Sequence, residues 1–227
     1  MISLNGKVVM ITGALGGLGQ TVTESFSQAG AKVVVVSREL PGKLAEGLVG
    51  VQADVTDEAD VRRLMKEAVE KTTGIDCLVN LVGGFAMGRL ADTDASAWSR
   101  MLSLNLTSAF LLSREATRLM TKQGAGRMIH IAARAAVDPF PGAGAYIVSK
   151  SGLLALIKVL ALELAGSGVK VNGVLPSTID TPANRESMPD ADPNQWVKPD
   201  AIAALLVFLA SDEAEALNGA LIPIGAA

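Results

Sequence analysis

Short runs of β-branched and other apolar residues alternate along this chain with longer stretches of helical period. Lys7–Thr12, Lys32–Ser37, Gly50–Ala53, Ile75–Asn80, Arg127–Ala132, Val169–Leu175 and Leu221–Ile224 read as strands. Several are apolar at consecutive positions, the pattern of strands buried on both faces of a parallel sheet. Between them Leu18–Gln28, Glu58–Thr72, Ala95–Lys122, Gly144–Ala165 and Pro199–Ala210 read as helices. That alternation implies right-handed βαβ units, and so an α/β fold: a doubly wound parallel sheet of seven strands with helices on both faces. Between the second and third strands lies only Arg38–Val49, whose Pro41-Gly42 disfavours a crossover helix. A second irregular stretch, Pro176–Lys198, carries Pro176, Pro182, Pro189 and Pro193. A loop that long in a compact domain reads as a substrate-binding loop or lid; the plainer alternative is a surface connector. With no linker, low-complexity tract or internal repeat, residues 1–227 read as a single domain.

A chain of 227 residues can bury a sizeable core without staples. The single cysteine, Cys77, excludes an internal disulfide framework, and with the single histidine, His130, it argues against a Cys/His zinc site. Lys and Arg number 20 against 23 Asp and Glu, and the resulting charge of −3 argues against nucleic acid as a partner. Aromatics are 4% of the residues against 49% hydrophobic, an aliphatic core rather than a base-stacking platform. No run approaches about 18 uninterrupted apolar residues, and Met1–Lys7 lacks a signal peptide's apolar stretch. The expectation is a cytoplasmic protein with a small-molecule substrate and no membrane partner.

Thr12-Gly13-Ala14-Leu15-Gly16-Gly17-Leu18-Gly19 follows a strand and opens a helix, the context a phosphate-binding turn requires. Glycine lets the backbone approach a pyrophosphate, and the helix N-terminus offers free N–H groups and a positive dipole end. Gly13 and Gly17 stand further apart than the first two glycines of the usual dinucleotide fingerprint. Downstream come Asp54-Val55 after the third strand, Asn80-Leu81-Val82-Gly83-Gly84 after the fourth, Asn105, and Tyr146-Ile147-Val148-Ser149-Lys150. In order and spacing these pieces resemble the short-chain dehydrogenase/reductase family along nearly the whole chain.

The resemblance implies a Rossmann-type domain and an NAD(P)-dependent oxidoreductase. It assigns Gly13, Gly17, Leu18, Gly19, Asp54, Val55, Asn80, Pro176 and Thr181 to cofactor binding, with Asp54-Val55 beside the adenine ring. Tyr146, Lys150 and Asn105 become the catalytic residues. Lys150 also holds the nicotinamide ribose, and Asn105 supports a water chain to that lysine. Four residues apart, Tyr146 and Lys150 share a helix face. A nearby ammonium and the positive nicotinamide are expected to lower the phenol's pKa, so that Tyr146 exchanges the proton that accompanies hydride transfer. The long helices Ala95–Lys122 and Gly144–Ala165 are expected to pair across a two-fold axis in a homodimer or homotetramer.

Cofactor choice rests on the end of the second strand. An acidic residue there would bind the adenine ribose and repel a 2′-phosphate. Here Ser37-Arg38 stands instead, and Arg38 can fork two hydrogen bonds to a phosphate with Ser37 adding a third. NADP(H) is favoured and NAD(H) remains possible; the plainer reading of Arg38 is a solvated loop charge.

One departure outweighs the matches. The family has a serine thirteen residues before the tyrosine, donating to the substrate carbonyl; here that position is Ala133. Losing such a donor typically costs on the order of a hundred- to a thousandfold in rate. Leu175–Asp192 with Trp196, Gly83–Ala86, Ala135–Asp138 and Pro141-Gly142 resemble the dihydropteridine reductase branch of the family, which also lacks the serine. That resemblance implies an electrophilic conjugated substrate, a quinonoid dihydropterin being the example. The alternatives are a carbonyl or 3-oxoacyl thioester reductase lacking the serine, and a non-catalytic dinucleotide-binding regulator. Among the other polar and aromatic residues, His130 reads as a satisfied interior histidine. Cys77 reads as a small buried hydrophobe. Trp98 reads as helix packing, Trp196 as a loop anchor that could cover a flat ring, Asp92 as solvated loop and Asp94 as a helix cap.

Overall fold

Consecutive apolar positions in these strands are buried because helices cover both faces of the sheet. In a computed structural model, which describes residues 2–225, the strands are β1 Val8–Thr12, β2 Lys32–Ser37, β3 Val49–Gln52, β4 Cys77–Asn80, β5 Gly126–Ile131, β6 Val169–Pro176 and β7 Leu221–Ile224. All pair in parallel, in the order β3-β2-β1-β4-β5-β6-β7. The helices are α1 Gly19–Gln28, α2 Glu58–Thr72, α3 Ala95–Leu102, α4 Ser108–Gln123, α5 Gly144–Glu163, α6 Pro182–Ser187 and α7 Pro199–Ala210. Alternate strand residues divide the core. Met10, Val34, Leu78 and Met128 face α2, α4 and α5, while Val9, Ile11, Val33, Val79 and Ile129 face α1 and α7. As expected, no crossover helix lies between β2 and β3.

Two elements differ from the sequence pattern. Ala95–Lys122 is not one helix: α3 and α4 are joined by a π-helical turn, Ser103–Thr107, which holds Asn105. Helical periodicity does not report one inserted residue, and the cause lies in tertiary bonds from Asn105. The Pro176–Lys198 stretch is not wholly irregular. It contains α6, whose first turn takes Pro182 and whose N-terminus is capped by Thr181 through the Asn184 N–H. As expected, Asp94 caps α3, accepting from the Ala97 N–H at 2.7 Å.

The absence of a membrane span, expected from sequence, needs a qualification. By length and composition α5 is apolar enough to cross a bilayer. It lies instead against β6 and buries Leu153, Ile157 and Ala161, the position of a core helix.

Candidate active site

The strand order reverses between β1 and β4, and the loops leaving the C-terminal ends of those strands part there into a crevice. Sterics fix its floor. Gly13 has φ +72°, and a Cβ on it would press on the Leu81–Val82 backbone at 3.3 Å. A Cβ on Gly19 would stand 2.1 Å from the Gly13 carbonyl oxygen, so only glycine fits. Gly17 lies against Thr181, whose Cβ would be 3.3 Å from an added Cβ. The glycine turn and the loop after buried Pro176 are thus brought together. No side chain caps α1 at Leu18, and no acidic residue stands in its first turn.

At the edge of the sheet Arg38 and Asp54 face an open cleft of about 340 Å³ that Gln52, Ala53, Asp60 and Arg63 also line; Ser37, the last residue of β2, is not among its lining residues. Arg38 is exposed and forms no ion pair among the described residues. Asp54 accepts from Thr56 through both its N–H and its hydroxyl, at 2.9 and 2.7 Å. Those bonds, with a smaller contribution from Arg38, hold its carboxyl below the usual range. Val55 is buried beneath.

On the other side, α5 presents Tyr146 and Lys150 one turn apart. The Lys150 ammonium is 5% exposed and donates to the Ile131 carbonyl at 2.8 Å. Burial brings its pKa down to about 8. Burial also pushes the Tyr146 phenol up to about 12, so the lowering expected from Lys150 is not a property of the protein alone. Asn105 is buried: its Oδ1 accepts from the Gly84 N–H at 2.9 Å, and its Nδ2 donates to the Gly84 carbonyl and to Ser149 Oγ, each at 3.0 Å. These bonds account for the widened turn, a feature common where a helix serves a site. Ala133, 5% exposed, occupies the position where the family pattern has serine.

Three residues at this site escape the motif reading. A Cβ on Gly83 would meet Asn105 Oδ1 at 2.7 Å and Lys150 Nζ at 3.1 Å, so that glycine lets the loop after β4 pass over both. Ser149 joins Asn105 to the Tyr146 carbonyl, which it reaches at 2.7 Å. Phe85, 57% exposed, stands edge-on to Tyr146 with ring centroids 4.9 Å apart. Ser149 lies inside the Tyr-x-x-x-Lys segment and Gly83 inside the glycine pair after β4; Phe85 lies in the Gly83–Ala86 resemblance, but nothing local marked its contact with Tyr146. Asn80 is 2% exposed and turned into the protein, where it bonds Thr12 and His130. Cys77 is buried and its thiol pushed up to about 12, consistent with packing alone.

A glycine turn at the switch point of a parallel sheet, opposite a tyrosine–lysine pair, defines a Rossmann-type dinucleotide-dependent oxidoreductase. A family model described as Enoyl-(Acyl carrier protein) reductase matches residues 13–225. The chain is 33% identical over 238 residues to the 3-oxoacyl-[acyl-carrier-protein] reductase FabG of Thermotoga maritima, with 97% of each chain covered. It is 32% identical over 240 residues to the 2,5-dichloro-2,5-cyclohexadiene-1,4-diol dehydrogenase LinX of Sphingobium indicum, covering 97% of this chain and 95% of that one. The fold matches a 3-ketoacyl-(acyl-carrier-protein) reductase from Brucella melitensis complexed with NADH, with a TM-score of 0.88, 28% identity and 98% of both chains covered. The chain belongs to the short-chain dehydrogenase/reductase family and is an NAD(P)-dependent oxidoreductase. The dihydropteridine reductase likeness rests on Leu175–Asp192 with Trp196, on Gly83–Ala86, Ala135–Asp138 and Pro141-Gly142, and on the missing serine.

Proposed function

We propose that this enzyme uses NADPH to reduce an electrophilic conjugated substrate, with Tyr146 delivering the proton to the substrate's heteroatom. The observation that carries this reading is Ala133: a buried methyl group where a ketone's developing alkoxide would need a donor. An electrophilic conjugated system spreads that charge and takes hydride without a second donor. Phe85, Met87 and Leu90, 57%, 65% and 61% exposed, support it. They lie on the segment after β4, which Gly88 ties to Ala143 at the start of α5, and a flat ring set against Tyr146 would meet Phe85. A quinonoid dihydropterin is the candidate that the tail resemblance supplies. A 3-oxoacyl thioester is the second reading, favoured by the FabG relative at 33% identity.

The residues present fit a nicotinamide dinucleotide: Gly13 and Gly19 let the turn close tightly on the protein's own backbone, and it leads into the uncapped start of α1, whose free N–H groups suit a pyrophosphate. In this reading the glycine turn with Leu18 holds the pyrophosphate, Asp54 and Val55 the adenine, and Ser37 and Arg38 the 2′-phosphate. Thr181 stands beside the glycine turn, the buried Asn80 and Pro176 support the two loops from behind, and Lys150 holds the nicotinamide ribose. NADPH, when bound, supplies the hydride. The Lys150 ammonium, with the positive charge an oxidised nicotinamide would bring, would oppose the desolvation that raises the Tyr146 pKa. Asn105 fixes the wall through Gly84 and Ser149. Cys77, a free buried thiol, suits a reducing compartment such as the cytoplasm.

A second copy of the chain completes the reading, as a homodimer or homotetramer. Phe110 on α4 and Val159 and Leu162 on α5 are exposed, and Phe110 and Val159 line a groove of about 380 Å³ with Arg114, Leu156 and Glu163. Light scattering should show an assembly, and a monomer at working concentration would contradict it.

The substrate reading is tested by Ala133→Ser, with NADPH saturating and a quinonoid dihydropterin, an acetoacetyl thioester and a simple ketone compared. The added hydroxyl should raise ketone reduction at least about tenfold relative to dihydropterin reduction, part of what a good oxyanion donor provides. If the unaltered enzyme reduces ketones briskly and the serine adds nothing, another group fills the donor role and the reading fails.

A further inference from the structure

His130 is the chain's only histidine, and the reaction proposed above does not use it. It lies in a polar row that crosses the sheet: Thr12, Asn80 and His130 are register partners on β1, β4 and β5, each at most 2% exposed. On the same face the preceding positions are Met10, Leu78 and Met128, so the row replaces core residues at the end of the sheet nearest the crevice.

The hydrogen bonds in this row permit one arrangement. Asn80 Oδ1 accepts from the Thr12 hydroxyl at 2.7 Å and from the Val82 N–H at 3.2 Å. The Asn80 amide nitrogen must then be the group facing His130 Nδ1, at 3.4 Å. Nδ1 therefore keeps its lone pair, and the ring proton sits on Nε2, which donates to Ser113 Oγ at 3.1 Å. Burial, with the charge of Lys150 second, brings the pKa of His130 down to about 4 and keeps the ring neutral. Lys150 comes from α5; β4 presents Asn80, α4 Ser113 and β6 the register partner Gly173, none of which titrates in this range.

What Asn80 holds gives the row its consequence. Its Oδ1 ties the last residue of β1 to Val82, and the Leu81 N–H donates to the Thr12 carbonyl at 3.1 Å. Gly13 begins the glycine turn on one side of this junction; on the other, Gly83 passes over Asn105 and Lys150. We propose that His130 is a positioning residue for the dinucleotide site: its Nε2-protonated imidazole fixes the orientation of Asn80, which sets the two loops that meet the cofactor. A proton on Nδ1 would face the Asn80 amide hydrogens, and turning the amide to accept it would break the bonds to Thr12 and Val82.

The test uses the full-length enzyme and binding of NADPH and NADH, read by cofactor fluorescence, so it does not depend on the substrate reading. His130→Leu removes both ring partners and should weaken cofactor binding about tenfold. His130→Asn restores an acceptor near Nδ1 and should recover binding to within about threefold. His130→Gln restores a donor near Nε2 and should recover thermal stability without recovering binding. If cofactor affinity follows melting temperature across the three, or is unchanged in His130→Leu, the role is packing alone and the proposal is overturned. Should His130→Leu fail to fold, the Asn and Gln variants still decide, since the proposal requires Asn to bind more tightly than Gln. Nitrogen-15 spectra of the single labelled histidine give an independent readout. Between about pH 8 and pH 5 they should show the neutral Nε2–H tautomer, with the Nδ1 resonance moving when NADPH binds. An Nδ1–H tautomer, or an Nδ1 resonance indifferent to NADPH, would equally overturn the proposal.

Discussion

The two sides of the crevice are built by different means. Towards β1, β2 and β3 the site is mostly backbone: glycines at positions 13 and 19 that tolerate no Cβ, an uncapped helix start, and the exposed Arg38. Towards β4, β5 and β6 it is mostly side chain. Asn105 is held in a π turn, Lys150 is pinned to Ile131, Phe85 stands against Tyr146, and Ala133 lies where the family pattern has serine. A backbone cradle suits a cofactor whose pyrophosphate is constant, whereas a side-chain wall can be changed residue by residue to suit a substrate. The first side accordingly keeps the family's glycines, while the second keeps Asn105, Tyr146 and Lys150 but departs from the pattern at Ala133.

If the sides are separable, the largest effect comes from Tyr146→Phe. Turnover should fall by about a hundred- to ten-thousandfold, the usual worth of a general acid, while NADPH binding by fluorescence stays unchanged. Loss of cofactor binding in that variant would break the separation. Lys150 is next in size and belongs to both sides. Its pKa is near 8 in the protein against 10.5 for an unhindered lysine. The desolvation cost is therefore fully present below pH 8, and stability gained from its relief rises from about pH 8 to about pH 10.5. Lys150→Met should be inactive yet more stable at neutral pH, by on the order of 3 kcal/mol at most. That advantage should fade across the same interval in denaturant titrations. A pH-independent difference would mean the ammonium is not desolvated. Arg38→Asp follows: the ratio of NADPH to NADH affinity should fall roughly tenfold to a hundredfold. An unchanged ratio would return Arg38 to a solvated loop charge and leave NAD(H) as the natural donor.

The contrast also explains what was legible in the sequence. β2 and β7 fall on their expected residues and the remaining strands within two residues at either end, because a sheet covered on both faces writes continuous apolar runs into the chain. Gly13 and Gly19 were legible for a similar reason, since a backbone that excludes Cβ atoms leaves glycine as the record; at Gly17 the crowding comes from the Thr181 side chain. The π turn at Ser103–Thr107 left no such record; its cause is Asn105 bonding to Gly84 and Ser149, residues 21 and 44 positions away. Phe85 against Tyr146 and His130 between Asn80 and Ser113 were hidden likewise, each pairing made by the sheet order rather than by neighbours in sequence.

The smallest effect concerns Asp180, at the root of the loop that touches both sides. Its side chain is 8% exposed and accepts from Arg185 twice, at 2.6 and 2.9 Å, and from Lys198 at 2.8 Å. Arg185 and Lys198 hold its carboxyl well below the usual carboxylate range, so the cluster stays charged at any ordinary assay pH. Around it the Asp180 N–H donates to the Val197 carbonyl and the Val197 N–H to the Thr178 carbonyl, each at 2.8 Å, closing the loop into a clasp whose next residue, Thr181, caps α6 over Gly17. Asp180→Asn keeps the shape and those backbone bonds but removes both ion pairs. Arg185 and Lys198 are themselves 57% and 50% exposed, so water compensates for much of the loss. Substrate KM should rise only about threefold, with a smaller change in NADPH affinity. Raising the salt concentration should move the unaltered enzyme in the same direction and leave Asp180→Asn almost unmoved, because screening acts on pairs the variant no longer has. The opposite pattern, weaker NADPH binding with substrate KM unchanged, would assign the clasp to the cofactor side through Thr181 and Gly17 and redraw the boundary between the two.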